Sequence, residues 1–370
     1  MNIHLIDDEK FLDTFIERFD EYHSDNLYLV ITKQNDQKLN HIKKNAKKVT
    51  KINIETFEWE KFFNKIGPDD KLIIHFLKGP KVYFAYKLLN KISIPVYWVF
   101  YGAELYKNLS DRNLYDLYDY GFQTKKTQRL KLKLKFYTKL FFKNDYFNYV
   151  LKNINFFCFW NEYDYDLAKK HLNGNFKFHF FRYFMFDISE ISQRKETQKE
   201  LNVLLNNSAS ITGNHLTVLK DLNEKNIINS LDKLVVPLSY GSVTHGQVVL
   251  EEGSLIARDV FYPILDFLPK QKYFNLIRSC KIAIFAHRRQ EAGNNIFFML
   301  GIGAKVFLRK ENNIYSYLTD KGYKVFDYDQ INSIEDFEEL SKAEKLINYN
   351  LLLEEFSESQ ILKAYKEFFR

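Results

Sequence analysis

"KIAIFAHRRQEAGNNIFFML", Lys281 to Leu300, sets an apolar run against a polar, backbone-permissive stretch, His287 to Asn295, and then turns apolar again at once. A strand that runs out into polar residues and reopens as a helix is the repeating unit of an α/β sheet. Ligands bind at such strand ends, because the first N–H groups of the next helix lack intrahelical partners and favour anions. His287, Arg288 and Arg289 crowd into the turn, followed by Gln290, Glu291, Gly293, Asn294 and Asn295. Two readings of these residues stay open: a solvated loop, since arginines are mostly exposed, and an anion site where a guanidinium fork grips a diphosphate beside the helix start.

Outward from this stretch the same alternation recurs. "NIHLI", "LYLVIT", "KLIIHF", "PVYWVFYG" and "FFCFW" read as strands, and "FLDTFIERF", "KVYFAYKLL" and "EYDYDLAKKHL" as amphipathic helices. After the polar stretch "DISEISQRKETQKE", Asp187 to Glu200, the pattern restarts with "LNVLLNNS", "KLVVPLSYG", "DVFYPI", "AKVFLRKEN" and "YKVFD". The spacing predicts an α/β fold in two domains, residues 1–188 and 189–346, each a parallel sheet with helices on both faces. The tail, 347–370, reads as helical and able to pack back on the first domain. Two such domains facing one another bring both sets of strand ends to one cleft.

Composition agrees with a folded chain. Of 370 residues, 46% are hydrophobic and 27% charged, which excludes disorder. The 17% aromatic content is high enough that much of it must be core. The formal net charge of +7 suits an anionic partner without naming it. Cys158 and Cys280 sit in apolar runs without CxxC spacing, so they read as buried reduced thiols of a cytoplasmic chain. No signal peptide and no membrane-spanning run is legible at the N-terminus or within the chain. The basic segment Thr124 to Lys143, "TKKTQRLKLKLKFYTKLFFK", reads either as an interfacial helix for anionic lipid or as a solvated basic helix.

Several loops carry groups suited to chemistry. "NNSASITGNH", Asn206 to His215, offers capping side chains and small donors at a strand-to-helix turn, which fits a phosphate or merely a generous cap. Glu104 follows an apolar strand and the turn residue Gly102, placed to act as general base or as a helix cap. His75 ends "KLIIH", and Asp8 belongs to the "DDE" after the first strand; both read as base candidates or as structural groups. No P-loop and no GxGxxG follows a first strand, so ATP hydrolysis and dinucleotide redox chemistry lose support. The nine histidines lack metal-ligand spacing, and the two "DYD" triplets stand in unfavourable places, so no metal and no cofactor is expected.

The ordered set of loops resembles glycosyltransferase family 56, from "IDDEKF" through "HFLKGP", "WVFYGAELY", "NNS…NH", "VPLSYG" and "LIRSCKIAIFAHRRQ" to "VFLRKEN". The resemblance implies a GT-B architecture of two Rossmann-like domains across a cleft, acceptor on the first and nucleotide-sugar donor on the second, with the C-terminal helix returning to the first. It implies a metal-independent hexosyltransferase moving a deoxy-amino hexose such as Fuc4NAc from a dTDP- or UDP-linked donor to a lipid-linked saccharide. Such an enzyme serves bacterial surface polysaccharide synthesis on the inner face of the cytoplasmic membrane. Nucleic acid is not an expected partner, because the basic residues form one local run and not a stripe shared among loops. Carried onto this chain, the pattern assigns Glu104, His75 and Asp8 as base candidates and Gly102 and Tyr106 to the acceptor-side loop. To the donor it assigns Asn207, Ser208, His215, Pro237, Tyr240, Arg289, Gln290, Glu311 and Asn312, and Glu291, Gly293, Asn294 and Asn295 are expected beside them where the same loop enters its helix. Arg289 would hold the pyrophosphate, and Gln290 or Glu291 the sugar hydroxyls. Relatives tend to read "RQQ…GN", so Glu291 and Asn294 are departures that bear on the donor sugar. They also leave open a non-catalytic sugar-nucleotide or glycan-binding protein in the same shell.

Overall fold

The computed structural model describes residues 1–9, 11–32, 38–119, 146–182, 186, 188–191 and 200–369. Most of the polar stretch 187–200 and all of the basic segment 124–143 lie outside them. The chain divides into two compact units. The first holds the described residues of 1–111, 127–185 and 358–370, and the second those of 112–126 and 186–357.

In the first unit the chain runs β1 (Asn2–Ile6), α1 (Leu12–Tyr22), β2 (Asn26–Ile31), β3 (Val49–Ile52), α2 (Trp59–Phe63), β4 (Lys71–His75) and α3 (Pro80–Leu89). It continues through β5 (Val96–Val99), α4 (Ala103–Asp111), α5 (Tyr146–Asn153), β6 (Phe156–Phe159), α6 (Glu162–His171) and β7 (Lys177–Phe180). The strands form one sheet in the order β3-β2-β1-β4-β5-β6-β7, with β1 parallel to both β2 and β4. β1 is buried at all five residues, as expected of a central parallel strand covered on both faces. Leu12, Phe15, Ile16 and Phe19 repeat at helical spacing along α1 and turn one buried stripe to the sheet.

The second unit runs β8 (Asn202–Leu205), α7 (His215–Glu224), β9 (Lys233–Pro237), α8 (Val243–Ala257), β10 (Phe261–Ile264), α9 (Lys270–Ile277) and β11 (Cys280–Phe285). Then come α10 (Gly293–Gly301), β12 (Lys305–Leu308), α11 (Asn313–Asp320), β13 (Phe326–Asp327) and α12 (Lys342–Glu355). Its sheet order is β10-β9-β8-β11-β12-β13. The pairings are parallel. Both sheets therefore reverse strand order at one place, between β1 and β4 in the first and between β8 and β11 in the second. Crevices open at such switch points, outside the carboxyl ends of the strands.

The tail splits. α12 stays with the second unit, started by a capping box between Ser341 and Glu344. The last helix, α13 (Glu358–Lys366), belongs to the first, so the return begins at Glu358 and not at residue 347. It is held by rings: Phe368 meets Phe19 at 5.6 Å and Phe181 at 4.4 Å, and His23 Nε2 lies 2.6 Å from the Tyr365 carbonyl oxygen. Phe368 and Tyr365 are fully buried, and the largest fully buried side chains are all aromatic, which is where much of the ring content goes. Cys158 and Cys280 are buried free thiols. No helix among the described residues is long and apolar enough to cross a membrane.

Candidate functional site

At the switch point of the first sheet the strand ends of β1, β4 and β5 carry a dense polar cluster. His75, the last residue of β4, is fully buried; its Nε2 lies 3.2 Å from His4 Nδ1, and its Nδ1 lies 3.0 Å from the Tyr101 hydroxyl. Burial, then the neighbouring His4 and Lys81, push its pKa well below the usual imidazole value. His75 is thus a neutral ring with both nitrogens engaged. Lys81, buried in the first turn of α3, donates to the His75 carbonyl at 2.6 Å and to Asp7.

Glu104 opens α4 after Gly102, whose φ of +106° lets the chain turn sharply at the end of β5. Its Oε1 accepts from Tyr101 N–H at 3.0 Å and from Trp98 Nε1 at 3.2 Å. Oε2 is buried with no hydrogen-bond partner among the described residues. Burial raises this carboxyl to about 7, against the opposing pull of the Tyr101 N–H, the Trp98 indole and Lys81. A carboxylate that titrates near neutrality is matched to proton transfer at that pH.

Two other residues of this unit take structural places. Asp8 accepts from the N–H groups of Asn40, His41 (3.0 Å) and Ile42 (2.8 Å), so its carboxylate ties down that loop. Tyr106, expected on an acceptor-side loop, is fully buried on α4 and donates to Asp164 Oδ1 at 2.5 Å. It faces inward because the helix places its apolar stripe, Leu105, Tyr106 and Leu109, against the sheet.

In the second unit, two buried asparagines knit the loops at the switch point. Asn206, at φ +58°, donates to the Gly213 carbonyl at 2.8 Å and accepts from Ala286 N–H at 3.0 Å. Asn214, at φ +50°, donates to the Ala286 carbonyl at 3.0 Å and accepts from Asp119 N–H at 3.1 Å. Left-handed backbone is several-fold enriched in asparagine, and here each side chain joins the loop after β8 to the loop after β11.

The arginine pair of the β11 loop divides. Arg288 is held by Asp119 Oδ1 at 2.8 Å and Glu311 Oε1 at 2.6 Å. Asp119 in turn binds the buried Arg309 at 2.6 Å, and Arg309 reaches Asp329 at 2.9 Å. Arg289 instead meets Glu291 Oε2 at 2.7 Å. The same oxygen accepts from Thr212 Oγ1 at 2.6 Å, and Thr212 Oγ1 lies 2.7 Å from Ser210 Oγ. Burial alone would raise Glu291, but Arg289, then His287 and the Thr212 and Ser210 hydroxyls, hold it below the ordinary carboxylate range. Ala292 stands in the left-handed region at φ +65° immediately before α10, a costly conformation for a residue with a Cβ. The N–H groups of Gly293, Asn294 and Asn295, the first turn of α10, have no intrahelical partner.

The remaining candidates fall into two groups. Tyr240 is half exposed on the loop after β9, and its hydroxyl accepts from Asn207 Nδ2 at 2.8 Å. Beside it opens a cavity of about 250 Å³ lined by Ala209, Ser239, Gly241, Val243, Leu250 and Leu265. Gly241, at φ +112°, lies where a Cβ would come within 2.7 Å of the Ala209 backbone, so no larger residue fits. By contrast Ser208, His215, Pro237, Gln290 and Asn312 are buried. Asn312 caps α11 through Ile314 N–H at 3.0 Å and donates to the His287 carbonyl at 3.2 Å. His215 packs 3.4 Å from His245 in a neutral pair, its pKa pushed well down by burial and then by His245 and His287. Asn295 donates to Tyr273 at 2.8 Å and Asn294 is exposed. Among the described residues no group of three or more His, Cys, Asp or Glu could hold a metal ion.

Comparison with known proteins bears on the whole chain. The family model described as 4-alpha-L-fucosyltransferase, glycosyl transferase group 56, matches residues 20–345. Among solved structures, the E. coli trehalose-6-phosphate structure bound with UDP-2-fluoro glucose is similar over 99% of this chain and 97% of its own, with a TM-score of 0.63 at 11% identity. The UDP-forming α,α-trehalose-phosphate synthase of Burkholderia vietnamiensis matches over 100% of this chain and 96% of its own, with a TM-score of 0.63 at 8% identity. Sucrose-phosphate synthase of Thermosynechococcus elongatus matches over 100% and 94%, with a TM-score of 0.60 at 8% identity. At these identities the likeness establishes the fold, which is the GT-B fold of two Rossmann-like α/β units.

Proposed function

The chain belongs to glycosyl transferase group 56 and is a glycosyltransferase, and from that premise we propose that it moves a deoxy-amino hexose such as Fuc4NAc from a dTDP-linked donor to a lipid-linked saccharide. The observation that carries the donor side is the convergence at the second sheet's switch point. Arg289 and the hydroxyls of Thr212 and Ser210 gather around Glu291, two residues before α10 opens with first N–H groups that have no intrahelical partner. When the glycosidic bond to the donor breaks, negative charge grows on the departing nucleoside diphosphate. Donors already oriented toward it stabilise that charge most in the transition state. Arg289 and the α10 start are assigned this work, without a metal ion.

The nucleoside part is assigned to the cavity beside Tyr240. β9 and β11 are separated only by β8, so the cavity and the anion loop lie about 10 Å apart by strand spacing. An extended nucleoside diphosphate covers such a span, with the exposed ring of Tyr240 as a stacking surface for the base. Gln290 and Glu291 are assigned to the sugar.

Glu104 is assigned as the general base for the acceptor hydroxyl, since its carboxyl titrates near 7 and Oε2 has no hydrogen-bond partner among the described residues. His75 is assigned a positioning role, its neutral ring holding the Tyr101 hydroxyl. A peripheral site on the inner membrane face through residues 124–143 completes the reading, since an acceptor with a lipid tail stays in the bilayer.

A transfer assay over dTDP- and UDP-linked hexoses, with and without a polyprenyl-diphosphate saccharide, tests the proposal. Transfer from one donor class to the lipid-linked acceptor is expected. Tight binding of sugar nucleotides with no turnover over all pairs would favour the non-catalytic reading, which the Glu291 and Asn294 departures motivate.

A further inference from the structure

Glu291 Oε2 takes two donors, a guanidinium and a hydroxyl, and has an imidazole edge nearby. Arg289 Nη2 lies 2.7 Å away, Thr212 Oγ1 2.6 Å and His287 Nε2 3.8 Å. A guanidinium, a hydroxyl and an imidazole edge are the groups that grip a phosphoryl oxygen. The two charged side chains are only 14% and 15% exposed, so the pair is less screened than a surface ion pair. Arg288 cannot take its neighbour's place, being engaged by Asp119 and Glu311. The His287 ring, fully buried, has no hydrogen-bond partner on either nitrogen among the described residues, and the carboxylate lies 3.8 Å from its Nε2.

We infer that Glu291 is an internal anion that occupies Arg289 and Thr212 and is exchanged for the donor's diphosphate. The inference rests on the proposed reading of this loop as the nucleoside-diphosphate site. The exchange has a cost and a use. An incoming diphosphate must break a buried charge-assisted pair, so the nucleotide alone binds more weakly than the donors around it would allow. The displaced carboxylate then needs new hydrogen bonds, and sugar hydroxyls or an amide N–H supply them. A nucleoside diphosphate lacks the hexose beyond its terminal phosphate and supplies no such group on that side. Once the sugar has gone, Glu291 recaptures Arg289 and favours release of the product.

The test is calorimetric titration of the full chain with inorganic pyrophosphate, UDP and dTDP. In Glu291→Gln, which keeps the shape and removes the charge, at least one of these probes is expected to bind about tenfold tighter than in wild type. A gain in affinity shows the carboxylate competing with the anion, whereas a role in holding the loop's shape gives unchanged or weaker binding. Glu291→Asp, still charged, is expected to show no such gain, and Glu291→Gln added to Arg289→Ala none either. Glu291→Ala carries the same expectation as the glutamine variant and decides the matter if that variant does not fold. Unchanged or weaker binding in both neutral variants, with clear binding by wild type, would overturn the exchange and leave the donor-site reading standing. Absence of binding by wild type and both neutral variants would overturn both.

Discussion

Replacing Glu104 by glutamine should move stability and activity in opposite directions. Folding raises this carboxyl from 4.5 to about 7, chiefly through burial. A folded-state value above the unfolded one means that the group's contribution is full below about pH 4.5 and is lost as pH rises through about 7. The rise from 4.5 to about 7, at 1.36 kcal/mol per pH unit, sets an upper bound near 3 kcal/mol, and because the residue as a whole is half-buried the value is roughly 1–3 kcal/mol. Glutamine keeps an acceptor for the Trp98 and Tyr101 donors and carries no charge. Thermal or denaturant unfolding of Glu104→Gln should therefore match wild type near pH 4.5 and exceed it at pH 8 by that amount. Transfer should fall about 10²–10⁴-fold, the usual worth of a positioned base. Wild-type activity should rise with pH through about 7, as the base loses its proton. A variant equally stable to wild type at both pH values, or one whose rate is unchanged, would refute the assignment.

Three further outcomes follow from the second unit and the tail. Arg289→Ala should lower turnover about 10²–10³-fold with little change in acceptor affinity, read from kcat and acceptor KM, because the charge it meets develops in the transition state. Asp119→Ala leaves Arg309, 5% exposed, without its buried partner. Chemical denaturation should show a loss of about 3–5 kcal/mol, and Arg309→Met in the same chain should recover part of it. Tyr365→Ala should cost about 3–5 kcal/mol in the same measurement, since its buried ring packs against Phe15 and Phe181.

Strands with apolar runs were legible in the sequence, and so was the parallel α/β order, because buried parallel strands need near-continuous hydrophobicity. β3, "VTKI", and β7, "KFHF", were not. Both are four-residue edge strands with only two apolar residues each, too short and too polar for a continuous hydrophobic run. Residues on the donor loops were legible by type and not by direction. Asn312 reads like a ligand-binding amide in a loop, yet it is spent on capping α11 and holding the His287 carbonyl. Asn206 and Asn214 left only the faint signal of asparagine beside a strand end and a helix start. Asp119 left none, because it stands 169 residues from Arg288 and 190 from Arg309, and no local spacing records such a contact. Lys81, Tyr101 and Trp98, which surround His75 and Glu104, likewise emerge only when three strand ends are brought together.

The claim that the loop after β11 holds the donor's diphosphate is tested most directly by a crystal structure of the chain with bound dTDP or UDP. Both phosphoryl groups are expected against Arg289 and the N–H groups of Gly293 to Asn295, with the base beside Tyr240 and Glu291 moved off Arg289. A nucleotide bound elsewhere, with the Arg289–Glu291 pair intact beneath an unoccupied loop mouth, would contradict it.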